Sequence, residues 1–223
     1  MKSFRITPEI NQVTLAENEN QLTPQSESTN QIQSSHTTAI IRKATLSDIG
    51  QIYHLYKIVA IVNQGNLTQE SDEITLEYVN NTVRKGLQRG LILVIEKDKN
   101  IIGYLKAFTS EFRTLAHVLT NTTMIIHPEW QGREYGSNLI NAYLEKIKAN
   151  MPHILRFELL PHQSNQRAIR FYQRHGFVQE SLAEQKIRNV KGNFEPEVTL
   201  VWFNPNFSKD ALRKYHAFQR TLI

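Results

Sequence analysis

Two stretches of the chain have residue types and spacing that could do chemistry. The first follows the apolar run Thr122-Thr123-Met124-Ile125-Ile126 and reads His127-Pro128-Glu129-Trp130-Gln131-Gly132-Arg133-Glu134-Tyr135-Gly136-Ser137. A strand that passes through a short glycine-bearing loop straight into a helix makes an anion site. The first N–H groups of the helix have no partner inside it, and the helix dipole adds partial positive charge. Gly132 and Gly136 let the backbone approach a ligand and the neighbouring strand closely, and Arg133 adds a formal charge. Taken alone, two glycines near a helix start are also ordinary turn chemistry. The second stretch is Asn165-Gln166-Arg167-Ala168-Ile169-Arg170-Phe171-Tyr172-Gln173-Arg174-His175-Gly176-Phe177. Ala168 and Phe171 read as core residues of a short helix, and Tyr172 adds a hydroxyl.

In this order, the two stretches resemble the GNAT acetyltransferase superfamily. The first is similar to that family's coenzyme A loop, Gln/Arg-x-x-Gly-x-Gly/Ala. Gln131, Gly132 and Gly136 match, as does the Pro128 lead-in, while Glu134 stands where the family usually has glycine. The second is similar to the family's Asn-x-x-Ala-x-x-Phe-Tyr-x-x-x-Gly-Phe. The resemblance covers roughly residues 40–204. It implies an α/β fold of the GNAT-like acyl-CoA acyltransferase type: a central mixed sheet with a splayed parallel strand pair, flanked by helices. Acetyl-CoA is the implied co-substrate, entering the wedge between the splayed strands. Backbone N–H groups of Gln131, Gly132, Arg133, Glu134, Tyr135, Gly136 and Ser137 would hold its pyrophosphate. Backbone groups near Ile125 and Ile126 would hold the pantetheine and the thioester carbonyl. Asn165 would contact the coenzyme arm, and the Tyr172 hydroxyl would lie near the thioester sulfur.

The implied activity is N-acetyl transfer to a primary amine of a small molecule or protein, by direct attack in a ternary complex. A lysine-like amine has a pKa of about 10.4, so a base must take a proton at neutral pH. Some family members carry a glutamate on the strand before the loop, where Thr120 stands here. Others carry one on the following strand, where Glu158 lies between Phe157 and Leu159. Glu158 is therefore the candidate base, with Glu111, His117 and a water relay as further options. His162 and His175 read as surface histidines, and His127 as part of the turn. Glu134 and the absence of an obvious base motivate an alternative, a non-catalytic acyl-CoA-binding or protein-interaction module on the same fold.

These groups need elements to position them. Ala39–Arg42 reads as a short strand. Ile49, Ile52, Tyr53, Tyr56 and Val59 recur at helical spacing, and Ser71 or Asp72 can cap a second helix ending near Gly90. Strands at 91–96 and 101–108 are joined by a hairpin turn at 97–100. A strand at 117–127 precedes the loop. The helix after it carries Leu139, Ile140, Tyr143, Leu144 and Ile147 on one face. Pro161 ends a strand at 154–160, and Gly176 stops the helix at 164–175. Strands at 178–189 and 197–203 follow, then an amphipathic basic segment at 208–222 that reads as a packing helix. The order is β-α-α-β-β-β-α-β-α-β-β and a last helix. Parallel pairing is required only across the 117–160 crossover.

The domain reading is a polar tail at 1–38, an acetyltransferase domain at 39–205 and a helical extension at 206–223. Residues 11–38 are dominated by Asn, Gln, Ser, Thr and Glu, a composition that cannot bury enough apolar area to offset its ordering entropy. The chain has no cysteine, which excludes disulfides and thiolate chemistry and fits a cytoplasmic setting. There is no His/Cys cluster at metal-ligand spacing, so no metal is expected. No apolar run is long enough for a membrane span. Net charge is +5, and the polar tail is itself acidic, so the body is basic. That suits an anionic ligand, and no recognised motif points to nucleic acid. The expected partners are acetyl-CoA and an unidentified amine acceptor, with the chain a monomer or homodimer.

Overall fold

The computed structural model describes residues 38–63, 65 and 67–221. Apart from Thr38, the expected tail at 1–38 lies outside the described residues. Seven strands form one sheet: β1 (Ile40–Lys43), β2 (Gly90–Lys97), β3 (Asn100–Phe108), β4 (Val118–Ile126), β5 (Arg156–Leu159), β6 (Val178–Arg188) and β7 (Phe194–Phe203). Five α-helices accompany them: α1 (Ile49–Val62), α2 (Leu76–Arg89), α3 (Tyr135–Asn150), α4 (Gln166–Arg174) and α5 (Lys209–Thr221). The element order matches the one expected. The strand order is β1-β2-β3-β4-β5-β7-β6, with β4 and β5 parallel and every other neighbour antiparallel. The sheet is mixed, as the crossover required.

Each face of the sheet is covered because each helix carries one apolar stripe. Ile52, Leu55, Tyr56 and Val59 of α1 pack with Val79 and Val83 of α2 against Val94, Ile101, Tyr104 and Ile125. On the other face, Leu139, Ile140, Tyr143 and Ile147 of α3 pack against Leu93, Leu105, Leu119 and Phe157. The buried Tyr143 hydroxyl donates to Leu91 O at 2.8 Å, so its burial leaves no orphan donor.

Two boundaries differ from expectation for local reasons. Helix α2 begins only at Leu76, because Thr75 is its cap: its Oγ1 accepts from Tyr78 N at 3.0 Å. Residues 71–73 form a turn instead, where the Glu73 carboxylate accepts from Glu70 N at 2.8 Å. Strand β7 starts at Phe194 because its partner β6 is long enough to extend the hairpin past Glu197. The last helix follows a joint in which Ser208 N donates to Pro152 O at 2.7 Å, and Tyr215 stacks on His153 with ring centroids 4.0 Å apart. No described helix is long and apolar enough to cross a membrane.

The feature that makes a site is the junction of β4 and β5. Their pairing covers only Val118↔Arg156 and Leu119↔Phe157. Directly beyond, Asn121 takes a left-handed backbone (φ 52°), and the β3–β4 register shifts between Lys106 and Phe108. A bulge of this kind bends its strand, so β4 turns away from β5. Asparagine is among the few residues besides glycine that occupy this conformation readily. Thr122 Oγ1 donates across the widening gap to Glu158 O at 2.7 Å.

Candidate active site

The gap opens into a cleft of about 830 Å³. One wall is the free edge of β4. His127 N donates to Ile102 O at 2.8 Å, and residues 127 and 102 continue the register Tyr104↔Ile125 and Lys106↔Thr123. In an antiparallel ladder, hydrogen-bonded pairs alternate with unbonded ones. Thr123, Ile125 and His127 therefore spend their backbone groups on β3. Met124 and Ile126 present theirs toward the cleft. Of the two residues expected there, Ile126 faces the gap. Ile125 lines it as well, but its backbone belongs to the ladder. Met124 was missed, and the period-two alternation of a strand was the signal for it.

The turn after β4 closes one end. Gln131 Nε2 donates to Ile126 O at 2.9 Å and pins the turn to the strand. Gly132 has φ 75°, a conformation that any side chain would strain. Gln131, Gly132, Arg133, Gly136 and Ser137 all line the cleft. A Cβ at Gly136 would lie 3.6 Å from Met124 Cε and 3.7 Å from Phe171 Cζ, so this glycine keeps the helix start close to both walls. Arg133 rests over the Trp130 ring, 4.6 Å from its centroid. Glu134 and Tyr135 do not line the cleft. Glu134 is exposed at the N-cap of α3, and Tyr135 packs edge-on against Trp130.

The opposite wall is the start of α4. Asn165 caps that helix, its Oδ1 accepting from Ala168 N at 3.1 Å, and lines the cleft with its amide N–H₂ not engaged in the cap. Tyr172 lines the same cleft, packed between the rings of Phe171 and Phe177. Burial pushes its phenol pKa up. Gly176, with φ 86°, ends the helix as expected.

The expected base is not brought here. Glu158 Oε1 sits 2.7 Å from Arg156 Nε, two residues along the same strand, and Glu158 is not part of the cleft lining. The other arm of Arg156 holds Glu180 at 2.6 Å. Glu111, His117 and Thr120 also lie outside the cleft lining. His162, expected at the surface, is instead 6% exposed and lines the cleft. It is buried because its backbone bridges Glu197 on β7. Neither of its ring nitrogens has a hydrogen-bond partner among the described residues, and its nearest carboxylate oxygen, Glu195 Oε1, is 3.7 Å from Nδ1. Glu197 lines the cleft as well, but it is held by Lys186.

Beyond the splayed pair, the cleft runs over the α1–α2 face. There it is lined by Asn63, Tyr78, Thr82 and Lys85 from the helices and by Lys106 from β3. Lys106 is 4% exposed, and burial lowers its pKa to about 8, with the Lys85 charge adding to the shift.

A mixed sheet with one splayed parallel pair, a glycine turn at the end of one splayed strand and a tyrosine helix after the other defines the acyl-CoA acyltransferase class of fold. Residues 88–179 match the acetyltransferase (GNAT) domain family, and the fold and this match together support the GNAT superfamily. No curated protein matches the sequence. Among solved structures, a GNAT-family acetyltransferase from Streptococcus pneumoniae is 20% identical, with a TM-score of 0.67, over 75% of this chain and 99% of its own. A putative acetyltransferase from Salmonella typhimurium, solved with its cofactor acetyl-CoA, is 15% identical with a TM-score of 0.66, over 75% of this chain and 94% of its own. A phosphinothricin acetyltransferase from Sinorhizobium meliloti, in complex with acetyl-CoA, is 15% identical with a TM-score of 0.67, over 77% and 91%. At such identities the likeness is one of fold.

Proposed function

We propose that this chain transfers an acetyl group from acetyl-CoA to a primary amine by direct attack. One observation carries the reading: the free β4 edge, the Gln131–Ser137 turn and Tyr172 all line the same cleft. Backbone donors of that turn suit a pyrophosphate, and the Ile126 N–H suits a developing oxyanion at the thioester carbonyl. The acetyl-CoA complexes of the two structural relatives agree with this use of the fold.

In the reaction the amine nitrogen bonds to the thioester carbon, the carbon–sulfur bond breaks, and the sulfur leaves with its electron pair. The new C–N centre must lose a proton, and the thiolate must gain a proton or a hydrogen bond. With reference pKa values of about 10 for tyrosine and about 8.5 for a thiol, full transfer from Tyr172 is uphill by roughly 2 kcal/mol. Burial raises the phenol further. Tyr172 therefore keeps its proton and acts as a hydrogen-bond donor to the leaving sulfur. For the amine proton we assign His162 in place of Glu158. His162 lines the cleft with neither ring nitrogen hydrogen-bonded among the described residues, whereas Glu158 is engaged by Arg156 outside it.

The test follows release of free coenzyme thiol from acetyl-CoA across a panel of primary amines, with the wild type and His162→Gln. Amine-dependent thiol release is the expected result, with the substitution lowering kcat and flattening the pH profile. The alternative, a non-catalytic acyl-CoA-binding module, predicts something else: acetyl-CoA at 100 times its dissociation constant stabilises the fold by about 2.7 kcal/mol, yet no amine releases thiol.

A further inference from the structure

The far end of the cleft carries charge that nothing among the described residues answers. Lys106 projects from β3 beneath α1 and α2 and is 4% exposed. A buried ammonium is ordinarily paired with a carboxylate, because removing it from water is costly. Lys106 has no ion pair and no hydrogen bond among the described residues. Its one charge contact is the Phe108 ring, 4.9 Å from Nζ. The nearest charge acting on it is of the same sign, Lys85 on α2. Around the two lysines, Asn63, Tyr78, Thr82 and Thr123 line the same end, and each can donate a hydrogen bond. Among the described residues, the only carboxylate lining the cleft is that of Glu197, which is held by Lys186 on the β6–β7 hairpin. Glu73 influences Tyr78 electrostatically but is exposed and outside the cleft lining.

An array of donors with two unanswered cations is complementary to an anion. Its position says which ligand the anion belongs to. Lys106 pairs with Thr123 on β4, three residues before Ile126. At about 3.3 Å per residue, that is roughly 10 Å along the strand from the thioester end of the β4 edge. It lies on the far side of that edge from the Gln131–Ser137 turn, so it belongs to the acceptor and not to the coenzyme phosphates. We infer that the acceptor is an amine bearing an anionic group a few bonds from its nitrogen, and that Lys106, with Lys85 at the rim, holds that group. The inference rests on the acetyl-transfer reading above and deepens it. It also serves the chemistry. Two cations near an acceptor disfavour its ammonium form, and no acidic side chain in this part of the cleft holds the amine protonated.

Matched acceptors test it. Straight-chain amines ending in carboxylate, sulfonate or phosphonate are compared with primary amides and plain alkylamines of the same length, using acetyl-CoA and reading thiol release. At least one anionic series should exceed its neutral counterparts by tenfold or more in kcat/KM, and the three acid types separate which anion is preferred. Lys106→Met should erase that preference through KM of the anionic acceptor and leave acetyl-CoA affinity unchanged by calorimetry. Lys106→Arg should keep part of it. Lys85→Ala, at an exposed position, should weaken it without touching the fold. Neutral amines acetylated as well as anionic ones would overturn the inference and leave the transferase reading standing. So would a preference that survives both Lys106→Met and Lys85→Ala, or a Lys106→Met that loses acetyl-CoA binding instead. If acetyl-CoA binds and no amine of either kind is acetylated, the transferase reading falls first and this inference with it.

Discussion

At one end the cleft is lined by backbone: Met124 and Ile126 on the free strand edge, and Gln131, Gly132, Arg133, Gly136 and Ser137 of the turn. At the other end they are side chains, Lys85 and Lys106 among Asn63, Tyr78, Thr82 and Thr123, drawn from two helices and two strands. A backbone site needs particular conformations, and conformations are set by residue type at fixed spacing. Gly132 stands where φ is 75°, Gly136 where helix and strands close up, Asn121 where the strand must bend. A side-chain site needs only that the right groups converge, and many spacings allow that. A ligand held through backbone at the first end constrains few side chains. The second is free to suit one acceptor.

The largest effect should come where the two ends meet. Tyr172→Phe removes the hydroxyl proposed as hydrogen-bond donor to the leaving sulfur. We expect kcat to fall about 10- to 100-fold, equivalent to roughly 1.4–2.7 kcal/mol of transition-state stabilisation, with acetyl-CoA affinity within about twofold of wild type. Steady-state kinetics at saturating substrates, with calorimetric binding, check both halves. A loss seen mainly in affinity would place Tyr172 among the coenzyme contacts and blur the boundary drawn here.

A smaller effect is expected from Gly132→Ala. A β-carbon at φ 75° costs about 1–2 kcal/mol, and it meets no neighbour within 4 Å, so the cost is conformational only. Relief requires the turn to move, which would take its N–H groups away from the proposed phosphate position. Acetyl-CoA affinity should weaken about tenfold, while the relative rates across the acceptor panel stay as they were. A changed acceptor preference would show that the ends are coupled.

The same division explains what the sequence made legible. The stripe Leu139, Ile140, Tyr143, Leu144 and Ile147 is helical by period, and all five are buried in the α3 core. Gly176 ended α4, and the strand–loop–helix order at 122–137 predicted the turn that lines the cleft. These are local rules, each contained in a dozen residues. What escaped was set by distant pairing. His162 looked like a surface histidine because its burial comes from the bridge to Glu197. Glu158 looked available because nothing in the order of residues says that Arg156, on the same strand face, lies 2.7 Å from it. Lys106 gave no signal of its own, since its burial depends on α1 and α2 closing over β3. The start of α2 was missed on a local point, because Ser71, Asp72 and Thr75 are all competent caps and only the packing of the preceding turn selects Thr75.

The smallest effect is the sharpest check on the backbone end. Glu134 departs from the family's loop pattern by placing a carboxylate where phosphate should bind. The structure puts that residue at the N-cap of α3, exposed and outside the cleft lining, with its carbonyl accepting from Asn138 N at 2.9 Å. If the turn binds through backbone alone, the Glu134 side chain is irrelevant to the coenzyme. Glu134→Gly should then leave acetyl-CoA affinity within about twofold. The fold itself should lose only the few tenths to about 1 kcal/mol that an acidic group contributes beside a helix N-terminus, a shift of a few degrees at most in thermal unfolding. Affinity that tightens severalfold on removing the carboxylate would mean that Glu134 reaches the phosphates. Side-chain charge would then tune the coenzyme end as it does the acceptor end.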